Sequence, residues 1–445
     1  MNSNNNKLFL PAIIILICNM LCYHTFNWMK NDMLTLTPMS EDAYLLLKFA
    51  VLPFCSLALA AVYFFASNRL STYQIAKKTY QGLIIFVALF AIILIPMYLK
   101  SPPSVDYSNP VLELGNKWIL TLFYTFVSLW TPITLLTFYG YTNQRFTFRE
   151  AAKIYPTLAI IGLIFSQLII PTILPLAAKK NSIAVSYIPA FIAITILWVT
   201  RNTFMKMEQV TQDSHNPSSY KTGYSFVIML SFLSISVGFA KYISLFSLGS
   251  AVELHRPFQS DYWHTMDTLT SLKALSNFMA ILILAFLSVY LQQHRIKGWK
   301  HFCFAGATVT SFITLTLVLF SFFGEQIQPL LSKTNTSSLS STIIKVGNSY
   351  QIFVSTVIYP TFFCLMQLAF IPINSKHRFK VKILIDMILY NAGFIFAVLI
   401  QKFLQPDEGA APQFLIYFAA IFFIGTALRF YTINYVSKRL ELSEV

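Results

Sequence analysis

The chain has 445 residues, 56% of them hydrophobic and only 11% charged, with 42 phenylalanines and 14 glycines. That is too apolar for an ordinary soluble domain and points to a membrane protein. Lys plus Arg outnumber Asp plus Glu by 32 to 17; in a soluble protein this would raise nucleic acid as a partner, but here it reads as topology, and no nucleic-acid partner is expected.

A spanning helix needs about 20 mostly apolar residues. The start, MNSNNNKLFLPAIIILICNMLC, has the single Lys and apolar run of a signal peptide. No small-x-small cleavage site follows and the run continues to Trp28, so it reads as an uncleaved first span. Twelve segments qualify as spans: 8–28, 44–66, 80–99, 118–139, 154–177, 182–200, 223–248, 269–292, 301–323, 343–373, 383–403 and 414–436. The tenth is long, and Pro360 and Pro372 are expected to kink or end it. The longest polar stretch, RNTFMKMEQVTQDSHNPSSYKTG, lies between the sixth and seventh. The expected fold class is therefore an all-α polytopic membrane protein with twelve transmembrane helices in two six-helix bundles, 1–200 and 223–445, joined by a cytoplasmic linker, 201–222.

An even number of spans puts both termini on one side. If that side is cytoplasmic, nineteen basic residues fall in inner loops, among them Arg69, Lys77, Arg145, Arg149, Lys153, Lys206, Lys297, Arg378, Lys380 and Lys382, against eight at outer positions. The positive-inside rule favours this orientation. Acids such as Glu41, Asp106, Glu113, Glu253, Glu325 and Asp407 fall outside.

A charge at the bilayer centre costs about 2.5 to 3.5 kcal/mol, so ionisable residues inside spans are functional candidates. Lys48, Lys241, Lys273 and Lys345 lie within spans, and Lys30 lies at the outer end of the first. Snorkelling to the interface is the competing reading for Lys48, Lys273 and Lys345; Lys241 lies deeper, in ISVGFAKYISLF, where snorkelling is harder and a cavity-facing role is favoured. No Asp or Glu sits in the middle of a span, so the carboxylate on which proton- and sodium-coupled carriers commonly run has no obvious residue. A cavity with several ammonium groups attracts an anion.

Walker, GxGxxG, HExxH and GxSxG motifs are absent, which excludes an energy-transducing ATPase domain and leaves secondary or passive transport. The five cysteines fall in apolar runs without metal-ligand spacing and read as buried free thiols, so neither cofactor nor metal is expected.

The stretch SLWTPITLLTFYGYTNQRFTFREAAKIYP, Ser128 to Pro156, resembles the ATP/ADP translocase family of intracellular bacteria and plastids. That family reads roughly ELWGSVVLSLLFWGFANQIT and then EAKRFYP. Matching positions are Leu129, Trp130, Asn143, Gln144, Glu150, Ala151, Lys153, Tyr155 and Pro156. LLLKFAVLP and SNRLS (Ser67 to Ser71) agree in order, as does FIPINSKHRFKVKILID, which places Lys380, Lys382 and Asp386 on the family's K-x-K-x-x-x-D. The resemblance implies a major-facilitator-like transporter, two bundles rocking about a central site, that exchanges ATP for ADP or imports other nucleotides. It makes Asn143, Arg145, Arg149, Glu150, Lys153, Lys380, Lys382 and Asp386 gate or cytoplasmic-loop residues.

The departures from the family pattern are directional. Its Glu before Leu-Trp is Ser128, its Glu in the seventh span falls near Ser244, and its tenth-span charges become Ser355, Ile358, Phe363, Met366 and Gln367, leaving Tyr359 and Phe362. In the eleventh span Asn391 and Phe394 stand for Arg and Lys, and Asn31, beside Lys30, for the Lys of TKD. Three readings result. In the first, Lys30, Lys48, Lys241, Lys273 and Lys345 neutralise the phosphates of a nucleotide while Trp130, Tyr359 or Phe362 faces its base. In the second, the same scaffold carries a nucleoside, nucleotide derivative or other organic anion. The third is a polytopic lipid-modifying enzyme or a membrane protein without transport. The expected partners are a small anionic substrate and the lipid bilayer, with the chain a monomer. The Asn-rich start, without a transit-peptide pattern, points to a bacterial inner (plasma) membrane.

Overall fold

A computed structural model describes residues 3–36, 40, 43, 46–94, 109–165, 183–211, 223–254, 262–331, 357–393, 395–396, 399 and 411–444. Every regular element among them is helical. In chain order these are α1 (Ser3–Leu36), a π-helical turn (Leu47–Val51) leading into α2 (Leu52–Ala66), α3 (Thr72–Leu89), which ends in a second π turn (Phe90–Leu94), the short α4 (Pro110–Asn116) and α5 (Trp118–Thr142). They continue with α6 (Phe148–Ile164), α7 (Ile183–Thr211), α8 (Tyr224–Leu254), α9 (Tyr262–Leu331) and α10 (Tyr359–Ala369). Last come α11 (Ser375–Lys382), which runs into a third π turn (Ile383–Leu389), and α12 (Ala411–Glu444).

Local chemistry sets several of these boundaries. The last Ser of SNRLS is the N-cap of α3: the Ser71 hydroxyl accepts from the Gln74 amide at 3.2 Å, and the Gln74 side chain accepts from the Ser71 amide at 3.0 Å, a capping box. Asn109 caps α4 the same way through the Val111 amide, 2.9 Å, with Pro110 at the first helical position. Pro360 likewise opens α10, where its missing N–H is harmless, and the helix stops at Ala369, three residues before Pro372.

α9 spans 70 residues but is broken at Arg295, whose φ of 46° and ψ of −119° lie outside helical space. The Tyr290 hydroxyl and His301 Nδ1 are 2.9 Å apart. A continuous helix would hold residues so spaced about 16 Å apart along its axis, so the chain folds back here. The predicted eighth and ninth spans are the two arms.

The chain divides into two compact units. Unit 1 holds residues 1–147, 161–219 and 373–388; unit 2 holds 148–160, 220–372 and 389–445.

In unit 1, α1 packs on α7 and α5, and α3 on α7 and α5. Asn19 is the polar centre of this core: it accepts from the Tyr80 hydroxyl at 2.9 Å through its side chain, and from the Trp130 indole at 3.2 Å through its carbonyl. Phe26 and Phe126 lie edge-on to Trp130, while Phe86 stacks on Phe126 and Phe90 on Phe123. In unit 2, α12 packs on α8 and α9, and α9 on α8 and α10. The Trp299 indole donates to the Leu365 carbonyl at 2.7 Å and Lys300 to the Asn434 side chain at 2.7 Å. Threonines such as Thr200, Thr310 and Thr361 return their hydroxyl protons to the carbonyl four residues earlier, the usual solution in an apolar interior. Phe54, Phe65, Ile92 and Phe312 lie exposed on the outside, as suits lipid contact.

Among the described residues, Thr72–Ile92, Trp118–Thr142 and Leu275–Phe312, which includes the Arg295 break, are long and apolar enough to cross a membrane. All five cysteines are free thiols. Cys22, Cys303 and Cys364 are buried, but Cys18 and Cys55 are only partly covered, which corrects the expectation of burial for all.

Just before α5, Glu113 and Lys117 pair at 2.9 Å with both side chains fully enclosed. The Ser40 amide donates to the same carboxylate at 2.8 Å and its hydroxyl donates as well. Burial pushes the Glu113 carboxyl up, but the bonds from the Ser40 hydroxyl, Lys117 and the Ser40 amide outweigh it and hold the group below its ordinary value. Stabilisation from a carboxyl lowered in this way is complete above the unfolded value, about 4.3, and is lost as pH falls through the folded one. Glu113→Gln is therefore expected to lower the melting temperature of the detergent-solubilised protein by several degrees from pH 5 to 8. The gap to wild type should close only below about pH 4; closure already between pH 7 and 5 would contradict this account.

Candidate functional site

The best-preserved motif, GYTNQRFTFREAAKIYP, contains the end of α5. After Thr142 the chain turns tightly: the Asn143 amide bonds to the Tyr139 carbonyl at 2.9 Å, Arg145 to Thr142 at 2.9 Å and Phe146 to Thr142 at 3.0 Å. A helix C-terminus carries partial negative charge and carbonyls without helical partners. Cations gather there from two places in unit 1, one far along the chain and one in the turn that directly follows the helix.

The first cation comes from the 373–388 segment, far along the chain. Arg378 is 3% exposed; it donates Nη1 to the Asn143 carbonyl and Nε to the Ile373 carbonyl at 2.9 Å. Its neighbour Phe379 lies over Gly140, where a Cβ would stand only 2.5 Å from the ring. Lys382 is fully buried, bonds to Asp386 one helical turn on, and stands 5.7 Å from the Tyr139 ring centroid. Desolvation lowers the pKa of its ammonium, with Asp386 opposing. Lys380 reaches back to Asn68, the Asn of SNRLS, and lies 5.8 Å from the Phe64 ring.

The second comes from within the motif. Arg145 donates to Glu208 on α7 at 2.6 Å, and the Tyr141 hydroxyl donates to the same oxygen at 2.8 Å. Gln144 is tied to the Thr72 hydroxyl at the start of α3. One end of unit 1 thus joins Asn143, Arg145, Lys380, Lys382 and Asp386 of the expected loop residues, buried at Asn143 and Lys382 and exposed at the Lys380–Asn68 bond. Phe379 and Glu208 are additions that the sequence did not single out, while Arg378 was read only as one of the inner-loop basic residues and Asn68 only as part of SNRLS.

The other expected loop residues fall in unit 2. Arg149 and Lys153 on α6 are exposed and Glu150 is half-buried. On the same helix the Tyr155 carbonyl accepts from the Cys364 thiol at 3.7 Å.

Comparison with known proteins is decisive at this point. The profile of the TLC ATP/ADP transporters matches residues 1–439. The chain belongs to this family. Its relatives are distant but full-length. "ADP,ATP carrier protein 1" of Rickettsia typhi is 24% identical over 99% of this chain and 94% of its own. "ADP,ATP carrier protein 1" of Chlamydia pneumoniae is 22% identical, over 93% and 88%. "ADP,ATP carrier protein 3" of Rickettsia felis is 21% identical, over 97% and 94%. Among solved structures, a bacterial homologue of the iron transporter ferroportin in an outward-facing state superposes with a TM-score of 0.59 at 12% identity, covering 98% of this chain and all of that one. The human organic anion transporter MFSD10 gives 0.53 at 10% identity, covering 97% and 99%. The fold is thus the twelve-helix, major-facilitator-like one that the sequence implied. As a TLC-family member the chain is a multi-pass membrane transporter, and the reading as a lipid-modifying enzyme falls.

Of the substrate-facing residues expected for this TLC transporter, Trp130 is fully enclosed in unit 1, its N–H committed to Asn19. Phe362 is half-buried in unit 2, where it lines a small cavity beside Arg429. Lys30 lies on α1, Lys48 in the first π turn, Lys241 on α8, Lys273 on α9 and Tyr359 at the start of α10, but their side chains lie outside the described residues, as does Lys345 entirely.

The fit of Phe379 on Gly140 gives a direct test. Gly140→Ala is expected to destabilise the purified protein by about 1–3 kcal/mol, as overpacking does. Phe379→Ala in the same chain should recover much of that loss in a double-mutant cycle by thermal unfolding. Strictly additive losses would rule out the contact.

Proposed function

We propose that the protein is a secondary transporter exchanging a nucleotide or nucleotide-like anion, in the manner of an ATP:ADP antiporter, by alternating access. Its place would be a bacterial inner membrane, as a monomer with both termini cytoplasmic. The observation carrying this reading is the full-length TLC match, with relatives named ADP,ATP carriers. The charge pattern agrees with it: lysines lie within the spans and no acid lies in the middle of one. In this reading residues 1–200 and 223–445 supply the two bundles. Lys30, Lys48, Lys241, Lys273 and Lys345 bind phosphate oxygens, each a charge-assisted contact, and Tyr359, Phe362 or Trp130 provides a base-stacking face. Trp130, enclosed here, would serve only after its neighbours move. The end of α5 and residues 373–388 form the cytoplasmic gate region.

The second reading, a less charged solute on the same scaffold, rests on the neutral residues at Ser128, Ser244, Ser355, Ile358, Met366 and Gln367, where the family pattern carries charge. Uptake separates the two. Cells or liposomes preloaded with unlabelled nucleotide are expected to take up labelled ATP or ADP and to release it to external unlabelled nucleotide. Absence of both entry and exchange would remove the nucleotide reading. Lys241→Ala should raise the apparent KM for the transported nucleotide about tenfold, the loss of one charge-assisted contact; an unchanged KM would exclude a binding role.

A further inference from the structure

The fold-back of α9 at Arg295 builds a surface that transport itself does not use. Tyr290 and His294 are neighbours one turn apart on the first arm, and the break returns the second arm so that His301 joins them. Gly298 permits the approach: a Cβ there would stand 3.1 Å from the Tyr290 ring and 3.4 Å from the His294 Cβ. The His294 and Tyr290 ring centroids are 4.3 Å apart, and the Tyr290 hydroxyl lies 2.9 Å from His301 Nδ1. When that hydroxyl donates, the imidazole proton of exposed His301 sits on Nε2, where it can meet an acceptor from outside.

The charge at this turn is of one sign. No Asp or Glu occurs between Asp267 and Glu325, while the turn carries His294, Arg295, Lys297, Lys300 and His301. Lys297 and both histidines are exposed; Lys300 is half-buried and tied to Asn434 on α12. One turn further along α12, Lys438 and Arg439 stand against a single acid, Glu441.

Behind the turn the first arm is apolar. Leu275, Phe278, Leu282, Phe286 and Val289 are exposed and recur at three- and four-residue spacing, so they form one stripe. At its turn end Phe286, Tyr290 and Phe302 bridge the two arms as an aromatic shelf, with centroids 5.6 to 5.9 Å apart. The stripe is about 21 Å long, more than the roughly 15 Å of hydrocarbon in one leaflet. A cationic, hydrogen-bonding head joined to such a stripe is the complement of a lipid with an anionic headgroup. An acidic peptide would match the head alone.

We propose that the turn of α9 is a docking surface for an anionic phospholipid. Lys297, His294 and His301 take the phosphate and headgroup oxygens, the Tyr290 hydroxyl fixes the His301 ring, and an acyl chain lies along Phe286, Leu282 and Phe278. In the orientation proposed above the lipid belongs to the cytoplasmic leaflet. The surface lies within unit 2 and goes beyond the transport reading, since it holds whichever solute is carried.

The test takes the full-length protein in detergent with phosphatidylglycerol and phosphatidylcholine of the same acyl chains and counts retained lipid by native mass spectrometry. Wild-type protein is expected to favour phosphatidylglycerol, by a margin that shrinks as salt is raised. Lys297→Gln should cut the preference about fivefold, the effect of one basic residue at a charged surface. Lys78→Gln, at an exposed lysine of α3 in unit 1, should leave it unchanged. Tyr290→Phe, which keeps the ring and loses the bond to His301, should cut it by less than Lys297→Gln does. Phe286→Ala should weaken both lipids alike. Equal retention of the two lipids by wild type overturns the proposal, as does an equal loss in Lys297→Gln and Lys78→Gln, which would mean diffuse attraction. Unchanged retention in Phe286→Ala overturns it too, and so does displacement of bound phosphatidylglycerol by millimolar inorganic phosphate or by a Glu-rich peptide. Should Tyr290→Phe fail to fold, Lys297→Gln, at an exposed side chain, decides.

Discussion

A helix that ends in an apolar setting leaves its last carbonyls without partners, and at the end of α5 the Arg378 guanidinium meets that need. It bridges the Asn143 carbonyl and its own Ile373 carbonyl, so one cation satisfies two acceptors and fixes the 373–388 segment to the helix end. The neighbouring contacts depend on that anchorage. Phe379 can bring its ring edge against α5 only because position 140 is glycine, and Lys382 can be buried only because Asp386 is one turn away on the same segment. Removing one partner of such a buried pair costs far more than the pair contributes. The contacts at this helix end therefore stand or fall as a set.

The same requirement recurs through the interior. Among the described residues, polar groups in the spans are repeatedly met by a partner: Tyr80 and Trp130 meet at Asn19, Trp299 reaches Leu365, and threonines bond back to their own helices. Arg429 extends the rule to a full charge. Its supporting oxygens, the Ser236 carbonyl and the Thr310 hydroxyl, come from α8 and α9, so a single side chain of α12 holds both neighbours in register around the cavity.

Hydropathy made the fold legible, because lipid exposure demands long apolar runs and admits only helices here. The break at Arg295 was readable as the polar gap between two spans, and Ser71 as part of SNRLS, although its capping role was not. Arg429 was equally visible, a lone Arg within an apolar run, yet nothing in its spacing set it above the four lysines. Glu113 was read only as one of the acids on the outer side, and Lys117 was not singled out; three-dimensional packing alone reveals their pairing and that Ser40, 73 residues earlier, bonds to Glu113. Arg378 could not have been chosen over its basic neighbours, since its partner lies 235 residues away and no spacing encodes that meeting. The motif residues Arg149, Glu150 and Lys153, contiguous with Asn143 in sequence, part from it between Thr147 and Phe148, where the chain changes unit.

That crossing, and its counterpart at Pro372 and Ile373, has a bearing on how the protein is assembled. Residues 148–160 lie in the first half of the chain but pack with the second, and residues 373–388 lie in the second half but pack with the first. Neither unit is complete until the ribosome has delivered the opposite half. Early in synthesis the end of α5 must wait, its carbonyls unsatisfied, for an arginine made more than two hundred residues later. A fragment cut at Ser219 would lack its own keystone and carry one belonging to the other unit.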